Sequence, residues 1–106
     1  MAKYKVLRTE TADCGFRKII LSIAENFGAD VALEKLDEIE RQLLLLADTP
    51  WMGIDPRYMT LRRQGYKVVI MEKNLAFYKI NEAEKTVTIF AIVDQRQDYL
   101  NIIRGL

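Results

Sequence analysis

The 106-residue sequence contains no histidine and only one cysteine, Cys14. Histidine is both the commonest metal ligand and the commonest general base in proteins, so its absence narrows the possible chemistry. A lone cysteine excludes a disulfide within the chain and makes a cysteine-based metal site implausible. We therefore expect no metal site and no small-molecule cofactor. No basic partner for Cys14 can be identified, so we predict that it is an inert packing residue.

Long hydrophobic runs are also missing. A membrane-spanning helix needs about 20 consecutive apolar residues, and no stretch of the chain approaches that length. The first residues, 1–5, lead directly into a strand-like alternation instead of the apolar region of a signal peptide. No linker, repeat or low-complexity segment interrupts the rest. We predict a single cytoplasmic domain of residues 1–106 without membrane association.

Charge is nearly balanced over the whole chain but not along it. The formal net charge is +1, and half of the residues are hydrophobic, which argues against disorder and against a generally nucleic-acid-binding composition. Residues 1–56 carry seven Lys/Arg and ten Asp/Glu, whereas residues 57–106 carry nine and five. The basic second half fits contact with a polyanion, but an ordinary solvated surface often gives such a split and is the favoured interpretation.

The second half of the chain predicts three consecutive strands. Tyr66–Glu72, Leu75–Asn81 and Thr86–Val93 are rich in β-branched and aromatic residues. They are separated by a tight turn at Lys73-Asn74 and by the polar segment Glu82–Lys85. Parallel strands need crossovers of about a dozen residues, so these short connections predict an antiparallel meander.

The third of these strands is apolar on both of its predicted faces. Strict alternation places one set of side chains on one face and the other set on the opposite face. The two sets are Val87, Ile89, Ala91 and Val93, and Phe90 and Ile92. We expect the second face to be covered, either by the C-terminal residues or by a partner protein. The apolar residues of that C-terminal segment are Tyr99, Leu100, Ile102 and Ile103.

The first half predicts a strand, Tyr4–Thr9, followed by two amphipathic helices. Thr9 or Thr11 can cap the first helix, Gly28 ends it, and Asp30 can cap the second. Pro50 ends the second helix because proline cannot donate the next helical hydrogen bond. The apolar positions at helical spacing are Phe16, Ile19, Ile20, Ile23 and Phe27 in the first helix, and Leu36, Ile39, Leu43 and Leu46 in the second.

The connector between the helices and the meander predicts little regular structure. Trp51 and Met52 are expected to form a hydrophobic plug beneath the helical hairpin, and Tyr58–Gln64 can form a turn or two of helix. The order β-α-α-β-β-β predicts an α+β domain. In it, an antiparallel two-helix hairpin packs on one face of a small, mainly antiparallel twisted sheet.

Three segments in this order resemble the RelE/ParE superfamily of toxins from type II toxin-antitoxin (plasmid-stabilisation) systems. Residues 61–67, LRRQGYK, are similar to the family's leucine, polar pair and glycine before a basic residue. Residues 75–80, LAFYKI, are similar to its "LVFYRV" strand, and residues 96–100, RQDYL, to its "GRRDW" ending. The resemblance covers essentially the whole chain and implies the same α+β fold.

The resemblance implies growth inhibition by one of two routes. One branch of the superfamily cuts mRNA in the ribosomal A site, and another poisons DNA gyrase. RNA cleavage requires groups that deprotonate a 2′-hydroxyl, stabilise the phosphate and protonate the leaving oxygen. Leu75 occupies the position where the ribonucleases often carry an arginine, and no histidine is present, so the proton-transfer residues look incomplete.

The resemblance also implies candidate site residues. Arg96 matches the arginine that follows the last strand and binds phosphate in the ribonuclease branch, and Tyr99 lies near the family's C-terminal tyrosine. Arg62, Arg63 and Lys67 precede the sheet and could bind phosphate or a target, since guanidinium groups bind phosphate bidentately. The catalytic candidates are Arg96, Tyr99, Arg63 and Lys67, and the binding candidates are Arg62, Arg63, Lys67 and Arg96. We expect the arginines to lie on one open side of the sheet.

The resemblance further implies a cognate antitoxin, a protein partner whose C-terminal segment wraps the toxin. Three hypotheses follow. The chain is a toxin that binds and inhibits a large target such as gyrase, a metal-independent ribosome-dependent mRNA endonuclease, or a protein-interaction module that has kept the fold and lost toxicity. Fold analogy alone does not choose between them.

Overall fold

The computed structural model describes residues 3–96 and shows helices on one side of a four-stranded sheet. The strands are β1 (Lys5–Arg8), β2 (Lys67–Met71), β3 (Asn74–Asn81) and β4 (Thr86–Asp94), and the helices are α1 (Glu10–Phe27), α2 (Ala29–Leu44) and α3 (Met59–Arg63). Two short 3₁₀ turns, Leu45–Ala47 and Pro50–Met52, follow α2. This is the predicted β-α-α-β-β-β order. Within residues 3–96, no helix is both long and apolar enough to cross a membrane.

The strands lie in the order β1-β4-β3-β2. The β2–β3 and β3–β4 pairs are antiparallel, as the short connections predicted, and β1 adds to β4 in parallel. The β2–β3 turn consists of Glu72-Lys73 instead of Lys73-Asn74, since Met71 and Asn74 form the last pair of the ladder.

The two helices are joined more tightly than the sequence predicted. Thr9 caps α1, and its hydroxyl oxygen accepts a hydrogen bond from the Ala12 N–H at 3.1 Å. Gly28 has a φ of +96°, which favours glycine, and it is the only residue between α1 and α2. Since α2 begins at Ala29, Asp30 lies in its first turn and does not cap it.

A β-bulge in β4 corrects the predicted faces of that strand. Phe77 pairs with Ala91 and the next residue, Tyr78, pairs with Ile89, so Phe90 has no partner in β3. The extra residue reverses the alternation beyond it. Ile92 therefore joins Val87 and Ile89 on the helix side, and Ala91 and Val93 lie on the opposite face. The expected grouping of Ala91 and Val93 with Val87 was wrong.

The core has two layers, one on each side of the sheet. The helix-side cluster contains residues from all parts of the chain: Ala12, Phe16, Ile39, Leu43, Leu46, Val69, Met71, Ala76, Tyr78, Val87, Ile89 and Ile92. We call the opposite side of the sheet the far face. Its cluster consists of Leu61, Tyr66, Val68, Leu75, Phe77, Ala91 and Val93, with Tyr58 and Phe90 partly buried against it. Within residues 3–96, α3 covers part of the far face through Leu61, a role that was not predicted for it. The C-terminal segment proposed as a cover lies outside the described residues.

Three side-chain predictions were wrong. Trp51 and Met52 are 59% and 43% exposed, so they do not form a plug beneath the hairpin. Pro50 and Leu46 are buried instead. Phe27, the last residue of α1, is 70% exposed, and Cys14 is exposed instead of packed.

Candidate functional site

Three of the predicted site residues lie where α3 leads into β2. The Arg62 Nε donates a hydrogen bond to the Pro56 carbonyl oxygen at 2.6 Å, which fastens the connector to α3. Lys67 places its Nζ 3.4 Å from a carboxylate oxygen of Asp55 and 5.6 Å from the ring centroid of Trp51. Arg63 is the last residue of α3 and is exposed.

Arg96 lies at the other end of β2. Its Nε and Nη2 are 3.2 and 3.3 Å from the two carboxylate oxygens of Asp94, and these contacts hold the pKa of that carboxyl below its usual range. The neighbouring Gln95 donates from its backbone and side chain to the carbonyls of Lys73 and Glu72, which places this segment beside the β2–β3 turn.

The expected convergence of the arginines is therefore not observed. Five residues of β2 separate the end of α3 from the β2–β3 turn, a span of roughly 17 Å at the usual rise of a strand. Arg62, Arg63 and Lys67 lie at one end of that span and Arg96 at the other. Tyr99 lies outside the described residues.

A basic side chain that the sequence reasoning missed lies in the middle of the far face. The Lys79 Nζ is 4.5 Å from the ring centroid of Tyr66 and 5.3 Å from that of Phe90, and the two rings meet edge to face at 5.6 Å. The register places Thr88 directly opposite Lys79. The signal was visible in the sequence, since Lys79 is the only charged residue in β3.

On the far face, the strands carry two lysines, Lys5 and Lys79, and no carboxylate. Thr88 pairs with Lys79 of β3 on one side and with Leu7 of β1 on the other, so these three residues form one row across the far face. Two residues further along the strands, Thr86 and Lys5 pair in the next row on the same face. The acidic residues at the strand ends lie elsewhere. Glu72 contacts Lys35 of α2 at 2.7 Å, and Asp94 follows the helix-side residue Ile92 by two positions. This surface is suited to an anionic ligand.

Burial raises the pKa of two tyrosines on opposite sides of the sheet. Tyr66, on the far face, and Tyr78, in the helix-side core, both lie above the ordinary value of 10.0, Tyr78 in spite of a hydrogen bond from Gly53 that acts in the other direction. Neither is a candidate general base near neutral pH, because both hydroxyls keep their protons there.

These shifts predict an alkaline loss of stability. In the unfolded chain the two hydroxyls ionise near pH 10, whereas in the folded chain they ionise at a higher pH, so their contribution is complete below pH 10 and is lost as the pH rises through the folded pKa values. Tyr66→Phe should reduce the fall in the free energy of unfolding between pH 9 and about pH 11. Urea unfolding of the variant and of the wild-type chain at both pH values measures the difference. An unchanged fall in Tyr66→Phe would contradict the assignment.

A groove of about 1140 Å³ runs along α1. Its walls are one stripe of α1, the first half of α2, the β2–β3 turn and the end of β4. The exposed apolar side chains Phe27 and Val31 lie at the junction of the two helices, and Arg96 lies among the charged residues that line the groove. An elongated, amphipathic segment of another protein would fit this shape better than a small compact ligand.

Three of the predicted cationic site residues have partners within the chain. Lys67 and Arg96 each contact a carboxylate, and Arg62 contacts a backbone carbonyl. Residues 3–96 contain no cluster of three or more His, Cys, Asp or Glu side chains that could hold a metal ion. The arrangement can hold anions and polypeptide segments at several separate places.

Comparison with protein families gives one match. The sequence profile described as "ParE toxin of type II toxin-antitoxin system, parDE" matches residues 6–99. No curated protein matches the sequence.

Solved structures share the fold at low sequence identity. The chromosomal ParDE toxin-antitoxin system of P. aeruginosa contains a chain with a TM-score of 0.72 and 17% identity, over 87% of this chain and 96% of that one. The toxin-antitoxin complex RelBE2 of Mycobacterium tuberculosis gives 0.64 and 19%, over 88% and 99%. The isolated E. coli RelE toxin gives 0.58 and 14%, over 97% and 99%.

Proposed function

Because the chain belongs to the ParE toxin family of type II toxin-antitoxin systems, we propose that it inhibits growth by binding DNA gyrase, without cleaving mRNA. The RelE/ParE superfamily contains both gyrase poisons and ribonucleases, so the family by itself leaves the target open. The choice between the two routes rests on how the side chains of this chain are arranged.

The separation of the candidate catalytic residues supports the gyrase route. Cleavage of RNA needs a base, an acid and phosphate-binding groups around one scissile bond, within hydrogen-bond reach of each other. Arg63 and Lys67 lie at one end of β2 and Arg96 at the other, so these three residues do not meet around one phosphate. Separate cationic points suit recognition of a large protein surface.

A cognate antitoxin is the second proposed partner, and the groove along α1 is its proposed site. Related chains of this fold come from the ParDE system and from the toxin-antitoxin complex RelBE2. The groove has exposed apolar side chains at Phe27 and Val31 and charged side chains of both signs. An amphipathic helix or strand can cover the apolar side chains with its apolar face and form ion pairs with the charged ones.

Two parallel assays test the proposal. Purified toxin, released from co-expressed antitoxin, should inhibit supercoiling by gyrase and should leave mRNA intact in a translating ribosome extract. Arg96→Ala should weaken gyrase inhibition about tenfold, because one charge-assisted contact is typically worth 1.5–3 kcal/mol. Arg17→Ala, an exposed arginine on α1, is the matched control and should inhibit like the wild type.

The other outcomes decide between the remaining functions. Cleavage of mRNA near stalled ribosomes, lost in Arg96→Ala, would overturn the gyrase route. The observation that favours this second candidate is the basic far face around Lys5 and Lys79, which could accept a phosphate backbone. A chain that is folded, abundant and harmless in both assays would be a non-toxic interaction module.

A further inference from the structure

We propose that the far face holds a carboxylate-binding site built by Lys79, Tyr66, Phe90 and Thr88, and that it takes an acidic residue within an apolar extended segment of a partner protein. The site is separate from the groove along α1 and from Arg96.

The ammonium group of Lys79 is held in place by aromatic rings. Its Nζ contacts the rings of Tyr66 at 4.5 Å and Phe90 at 5.3 Å, and these rings fix each other edge to face. Tyr66 is buried and Phe90 is half-buried, so the frame is rigid. A lysine on a rigid frame loses less side-chain entropy when it binds an anion than a freely rotating surface lysine does.

The charge of Lys79 is not neutralised within residues 3–96. The other half-buried lysines of the described chain contact carboxylates, Lys35 at Glu72 and Glu38 and Lys67 at Asp55. Among the described residues, the Lys79 ammonium lies over two rings and has no carboxylate partner, and the strand positions around it on the far face carry threonines, Asn81 and apolar residues. A partly desolvated cation without a counter-ion gains more from an incoming anion than an exposed one does.

The surroundings favour a carboxylate in a polypeptide over a phosphate backbone. Leu7, Ile54 and Ile70 are exposed and flank the far face on its two outer strands, since Ile54 bridges to Val68 of β2. The other lysine in the strands of this face, Lys5, lies in β1, two strands away from Lys79 in β3 and in the next row of paired residues. By the usual strand spacing, the two lysines are roughly 12 Å apart. A nucleic acid presents closely spaced phosphates and gains little from apolar residues beside its binding site. A peptide with one acidic residue between apolar residues matches both the isolated lysine and the apolar residues that flank it.

The edge of β2 allows an extended segment to approach. Val68 exchanges both backbone hydrogen bonds with Ile54, so the N–H and C=O groups of Ile70, two residues on, point to the same outer edge. Ile70 is 57% exposed. Strand β1, at the opposite edge, is flanked by the charges of Lys5 and Arg8, a common protection against strand addition.

Binding of a short peptide tests the proposal. The probe is acetyl-Leu-Glu-Val-amide, and the matched probe is acetyl-Leu-Gln-Val-amide, each titrated into the ¹⁵N- and ¹³C-labelled chain and followed by NMR. The glutamate peptide should shift the resonances of Lys79, Thr88 and Phe90, and the glutamine peptide should bind about tenfold more weakly. Equal binding of the two peptides, or no shift at Lys79, would overturn the proposal.

Variants separate the site from general effects of charge. Lys79→Met should abolish the difference between the two peptides, Lys79→Arg should retain part of it, and Lys73→Met, at the exposed β2–β3 turn, should leave it unchanged. If Lys79→Met does not fold, Lys79→Gln replaces it, with the backbone NMR spectrum as the criterion of folding. Inorganic phosphate is the last probe. If phosphate shifts Lys79 at lower concentration than the glutamate peptide does, the site is a phosphate site and the proposal is wrong.

Discussion

Replacement of Gly15 by alanine is expected to lower the free energy of unfolding by about 3 kcal/mol, the upper range for overpacking in a core. A Cβ at this position would meet the carbonyl oxygen of Ile92 far inside van der Waals contact, and that oxygen belongs to backbone, which cannot rotate away. Helix α1 would have to move off β4. Urea or thermal unfolding measures the loss.

The sign of this effect makes it a sharp test. In the interior of a helix, alanine normally stabilises relative to glycine by about 1 kcal/mol. Gly15→Ala should therefore destabilise the protein even though alanine has the higher helix propensity. Lys18→Ala, at an exposed position of the same helix, should be nearly neutral. A stabilised Gly15→Ala would mean that α1 does not approach β4 as closely as described.

Loss of the Tyr78 hydroxyl is expected to have the second large effect. The hydroxyl donates to the Pro50 carbonyl oxygen at 2.8 Å and accepts from the Gly53 N–H at 3.0 Å, within a side chain that is fully buried. Tyr78→Phe leaves both backbone groups without this partner, at a cost of about 2–3 kcal/mol. Chemical denaturation at neutral pH gives the free energy of unfolding.

A matched tyrosine on the far face provides the control. Tyr66 is also buried, but its ring is held by Phe90 and Lys79, and its environment raises the pKa through burial alone. Tyr66→Phe should therefore cost well under half as much as Tyr78→Phe at neutral pH. Equal costs would show that the hydrogen bonds of Tyr78 do not anchor the connector.

Gly53 shows why the connector takes its path. A Cβ at Gly53 would meet the Tyr78 hydroxyl and would lie 2.7 Å from the Val68 carbonyl oxygen. The close approach lets Ile54 pair with Val68 at the edge of β2. The result leaves Trp51 at the surface beside Lys67, although local hydrophobicity alone predicts burial.

The candidate site was predicted in part. The motif around Arg96 and the basic pair Arg62-Arg63 could be found by resemblance, and their roles stay predictions. Their separation could not be found, because it depends on the direction of β2 and on the contact of Gln95 with the β2–β3 turn. Lys79 was visible as a single charge in an apolar strand, but its aromatic frame comes from Tyr66 and Phe90, which lie in other segments.

The sequence by itself determined which segments are helices and strands, that Gly28 ends α1, and that the last three strands form a meander, whereas it left Thr9 and Thr11 as alternative caps of α1. These features depend on interactions between residues close in the chain, such as periodicity, caps and short turns. Only the tertiary structure decided which face each side chain occupies beyond Phe90, and that Lys79 and Arg96 lie in separate places. A bulge and a strand order are fixed by pairing between distant segments, and no local pattern contains that information.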